Sequence, residues 1–96
     1  MADDKLVESW FVLTRETMPA LAREREWPVR FDHCFQRILL DNAVGAKWRD
    51  QIASPAYRNA SDAQLKRAIA LGEAAVADEE DLAELNRRSL AWRGKL

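Results

Sequence analysis

Ninety-six residues suit one domain spanning positions 1–96, since two would each be too short to bury a core. A net charge of −1, from 15 basic and 16 acidic side chains, gives no global pull toward a polyanion, and 48% apolar with 32% charged residues excludes wholesale disorder. Three Gly and three Pro supply few turns, which excludes a many-stranded sandwich or barrel.

One Cys excludes an internal disulfide framework and a Cys-rich zinc site. The opening Met1-Ala2-Asp3-Asp4-Lys5 lacks the charged-then-apolar order of a secretory leader. No apolar run approaches a membrane span. The expectation is a cytoplasmic chain with no membrane association.

In chain order, Asp3 or Asp4 is placed to cap a first helix. Leu6, Val7, Trp10, Phe11, Leu13, Met18 and Leu21 give it a broad apolar face. Pro19 interrupts the pattern, so the helix either kinks there or a second segment opens. Glu24, Arg25 and Glu26 read as a solvated end, and Trp27-Pro28 as a break.

The next helix begins near Phe31 or Asp32 and runs to Asn42 or Val44, with Phe31, Phe35, Ile38, Leu39 and Asn42 on one stripe. Gly45 is placed to end it. Val44, Trp48 and Ile52 nevertheless continue a four-residue spacing across that glycine, which predicts a kinked helix or two helices in close succession. The segment Ser54 to Ala60 is the clearest loop, with one turn opening at Pro55.

Ser61 and Gln64 fit a capping box, and the helix behind them carries small residues at Ala68, Gly72 and Ala75 that would admit another helix closely. Asp78 is expected to cap the last helix, with Leu82, Leu85, Ser89 and Trp92 on one stripe. The pattern is that of an all-α bundle of four to five short helices without a sheet.

Chemistry is harder to assemble. The only histidine and the only cysteine are adjacent, but consecutive helical residues diverge by roughly 100°, so His33 cannot readily activate Cys34. Cys34 reads as a buried small hydrophobe. No second His or Cys completes a zinc site, and the isolated Gly45, Gly72 and Gly94 cradle no phosphate. Catalytic, metal and cofactor assignments are therefore none, and an enzyme is disfavoured. An exposed histidine on a helical bundle resembles histidine phosphotransfer domains in architecture only. The Lys-Gly pair that follows their histidine is replaced here by Cys34, Phe35, Gln36 and Arg37.

Two surfaces remain. Arg30, His33, Arg37 and Asp41 form one polar ladder, and Trp48, Arg49, Tyr57 and Arg58 stand near the long loop. Arg37 and Arg49 would pair anions, while Trp48 and Tyr57 would anchor apolar groups, chemistry typical of protein interfaces. Four indoles, Trp92 among them, are more than so small a core comfortably encloses. The expected function is non-enzymatic, regulatory binding of a protein partner or of a second copy as a homodimer. The alternative is nucleic-acid binding through Lys47, Arg49, Arg58, Arg87, Arg88, Arg93 and Lys95, if folding gathers them.

Overall fold

The computed structural model describes residues 3–96, so the reading of the opening stretch rests partly on Met1 and Ala2, which lie outside it. Helix α1 (Asp4–Val12) starts where Asp3 accepts the Leu6 N–H at 2.8 Å. It runs into a widened π-helical turn, Leu13–Thr17, in which the Met18 N–H reaches back to the Leu13 carbonyl. Helix α2 (Met18–Ala22) follows directly with Pro19 in its first turn. Pro19 thus stands where one of the two expectations put it, in the opening turn of a second α-helical segment, though the helical run is unbroken. The wide turn just before it takes up the displacement that its ring imposes on a regular helix.

The chain then turns through a positive φ of 54° at Glu26. Arg25 is not a solvated end. Its guanidinium donates to the carbonyls of Val76 at 2.9 Å and Ala75 at 3.4 Å, and to Asp78 Oδ1 at 3.2 Å. It thereby satisfies the Val76 carbonyl, which the end of that distant helix leaves open.

Helix α3 (Asp32–Val44) has the predicted bounds and ends at Gly45, whose φ of 73° closes it in the left-handed conformation. The four-residue spacing beyond continues only as a single 3-10 turn, Trp48–Asp50. Phe31 departs from the expected stripe. It sits ahead of the first turn, 65% exposed, with its ring stacked on His33 at 5.8 Å.

A short helix α4 (Ala56–Asn59) opens after Pro55. Helix α5 (Asp62–Val76) carries the full capping box, Ser61 Oγ accepting from Gln64 N–H at 3.1 Å and Gln64 Oε1 from Ser61 N–H at 2.9 Å. Helix α6 (Leu82–Trp92) is capped by Asp81 rather than Asp78. Asp78 is used instead in the reversal after α5, at φ 61°, and as a partner of Arg25.

Phe35, Ile38 and Leu39 of α3 are fully buried, facing α5, α6 and the wide turn. The small residues of α5 are occupied within the chain: a Cβ at Gly72 would stand 2.6 Å from Leu13 Cδ2 and 2.9 Å from Leu39 Cδ1. They are thus no docking face for a second copy. Among the described residues there is no strand, and no helix is long and apolar enough to cross a membrane.

Candidate functional site

The supposed ladder along α3 dives from the surface into the interior. His33 keeps 76% of its side chain exposed, Arg37 is half-buried, and Asp41 is fully buried. The cause is α6, which covers the later turns of α3 but not its first. Asp41 is therefore not a partner-binding residue.

Asp41 instead fastens three segments. Its Oδ1 accepts the Trp48 backbone N–H at 2.9 Å, and its Oδ2 the Ser89 hydroxyl at 2.6 Å. Arg93 donates to both oxygens, from Nε at 2.7 Å and Nη2 at 3.0 Å. Those bonds hold the Arg93 guanidinium above its ordinary pKa range against the opposing effect of burial, with the charges of Asp41 and Asp50 adding to them. Nearby, Asn42 donates to the carbonyls of Ile38 and Leu85, both at 2.8 Å. A carboxylate directly after the run Ile38-Leu39-Leu40, and Ser89 on the apolar stripe of α6, are the sequence signals of such a site, because a buried polar group needs a partner.

Arg37 is held differently. Its Nη1 donates to Ser89 Oγ at 2.7 Å and its Nη2 to Asn86 Oδ1 at 2.8 Å. Both acceptors are neutral, so the side chain is oriented without a carboxylate at ion-pair distance, and Ser89 links it to Asp41. Arg49 lies over the Trp48 ring at 5.3 Å, a cation–π arrangement that leaves its charge free. Among the described residues, neither arginine forms an ion pair with a carboxylate.

These groups line one cleft of about 530 Å³. His33 and Arg37 come from α3, Trp48 and Arg49 from the 3-10 turn, and Tyr57 from α4. Folding adds Arg93, and from the first helical run Phe11 and Arg15. Phe11 meets Tyr57 edge-on at 5.2 Å, and the Arg15 guanidinium caps the Phe11 ring at 3.8 Å, 3.9 Å from Asp32. The Arg15–Phe11 pair is readable as a four-residue helical spacing. That it faces the cleft is not, because the wide turn sets its direction.

Arg30 and Arg58 are exposed but line no part of this cleft. Of the proposed nucleic-acid set, Arg49 and Arg93 meet there, and Lys47, Arg58, Arg87, Arg88 and Lys95 do not. Arg87 is committed to Glu84 on its own helix. Cys34 is half-buried rather than sealed in the core. The indoles divide: Trp10 is core, Trp27 and Trp48 are half-buried, and Trp92 is 40% exposed. Comparison with known protein families, curated proteins and solved structures finds nothing that matches the chain.

Proposed function

We propose that this chain works as a small non-enzymatic regulator that binds a protein partner in the cleft between α3, α4 and the 3-10 turn. One observation carries the reading: His33, Arg37, Trp48, Arg49 and Tyr57, chosen from the sequence for interface chemistry, line a single concavity. Half-buried aromatics beside oriented arginines are the composition of interface hot spots. Trp48 and Tyr57 serve as apolar anchors, and Arg37 and Arg49 as donors. Arg30, Arg58 and Asp41 drop out of the binding set, because the first two lie off the cleft and the third is internal.

Affinity capture from the native lysate tests the reading. Trp48→Ala is expected to abolish partner capture while leaving helicity by circular dichroism intact. A large loss of helicity would show that Trp48 only packs the core. Light scattering separates a foreign partner from a second copy. The nucleic-acid reading keeps one supporting observation, the meeting of Arg49 and Arg93. A gel shift at low and moderate salt tests it, and no shift removes it.

A further inference from the structure

Resting on that reading, we propose that the cleft takes an acidic segment of a partner protein, with carboxylates on Arg37 and Arg49 and an apolar side chain against Trp48 and Tyr57. Charge decides the occupant. Arg15, Arg37, Arg49 and Arg93 line the cleft, and no Asp or Glu does. Two of the four are already balanced, Arg93 by Asp41 and Arg15 loosely by Asp32. Arg37 and Arg49 have no carboxylate at ion-pair distance.

Arg37 is also preorganised. Two neutral oxygens hold it from α6, which leaves three of its five N–H donors for a ligand. A guanidinium fixed beforehand loses little freedom on binding, and it matches a carboxylate with paired donors. The floor is apolar, with Leu40, Ala56 and the Phe11–Tyr57 pair, so a purely ionic ligand would leave half the lining unused.

A nucleic-acid backbone fits less well. It needs a track of cations along successive phosphates, whereas the remaining basic side chains of the carboxyl-terminal region stand outside the cleft. An acidic-apolar peptide meets both halves of the lining at once.

Fluorescence anisotropy on the full chain tests this with three labelled probes: a short peptide alternating Glu and Leu, its Gln-for-Glu counterpart, and an oligothymidylate of matching length. The Glu peptide is expected to bind, more weakly as salt rises, and the other two poorly. Arg49→Gln should weaken it about tenfold, the loss of one charge-assisted hydrogen bond. Arg37→Gln should do at least as much. Arg49 is exposed and holds no other segment, so its variant remains informative if Arg37→Gln unfolds. Arg67→Gln, on the exposed side of α5, should change nothing.

Equal binding of the Glu and Gln peptides would overturn the carboxylate inference while leaving a Trp48-dependent partner site intact. Equal loss with Arg67→Gln would reduce the effect to bulk charge and overturn it too. Tighter binding of the oligothymidylate would overturn it in favour of nucleic acid. Absence of binding by either peptide also overturns it, and capture that ignores Trp48→Ala separately removes the underlying function.

Discussion

Arg93, just past α6, donates to both oxygens of Asp41, a carboxylate buried in α3. The same carboxylate holds the backbone of Trp48 through its N–H and accepts the hydroxyl proton of Ser89. The last helix and the 3-10 turn beyond Gly45 are thus positioned by one side chain. Both contribute to the cleft, Arg93 from one side and Trp48 with Arg49 from the other.

Removing that side chain should be expensive. Asp41→Ala leaves the half-buried Arg93 guanidinium, the Ser89 hydroxyl and the Trp48 N–H without their acceptor. Breaking a buried pair from one side costs about 3–5 kcal/mol, to be read as a lower midpoint in urea denaturation. Arg93→Ala should cost a comparable amount, because it leaves the fully buried Asp41 carboxylate without its paired cation, although Ser89 and Trp48 still donate to it.

Gly72→Ala sets two effects against each other. Alanine gains roughly 1 kcal/mol of helix propensity over glycine. Its methyl would meet Leu13 Cδ2 and Leu39 Cδ1 at 2.6 and 2.9 Å, so both buried leucine side chains must shift to admit it. Overpacking of this kind costs about 1–3 kcal/mol, so a net loss of stability is expected in thermal unfolding. A stabilised variant would show that the contact yields easily.

Ser61→Ala tests the capping box. The Gln64 amide loses its acceptor at the start of α5, and a loss of about 1 kcal/mol is expected in urea denaturation.

Glu84 carries a pH signature. The hydrogen bond from Arg87 holds its carboxyl below the ordinary value of 4.5, helped by the charges of Arg87 and Arg88 and opposed by burial. A depressed carboxyl contributes its full stabilisation above the unfolded value and loses it as pH falls through the lower folded value. Arg87→Gln should therefore raise the Glu84 titration midpoint, followed by NMR, and flatten the acid limb of stability below 4.5.

The helices were legible wherever local chemistry sets them. The Ser61–Gln64 box, Gly45 and Pro55 mark boundaries that depend on their own neighbours alone. Sequence reading erred where a distant segment decides the outcome. Asp78 resembles any helix cap, yet Arg25 reaches it from more than fifty positions away. Asp41 sits on the polar side by spacing, but α6 turns that side into an interior. Phe31 belongs to the apolar stripe by period and lies outside the packed part of α3. The cleft was half legible: its aromatic and cationic residues stood out, whereas the facing contribution of Arg15 and Phe11 depends on tertiary placement.

The widened turn at Leu13–Thr17 bears on how this chain tolerates insertion and deletion. Eight positions separate the buried Trp10 from the buried Met18, and at about 100° per residue a regular helix would swing them roughly 80° apart. Excising one residue between them would leave seven, close to two whole turns, so both flanks would keep their heading. The surplus residue thus leaves the heading of the rod unchanged, and its consequences are local: room for the Pro19 ring, and a turn from which Leu13 enters the core and Arg15 lines the cleft.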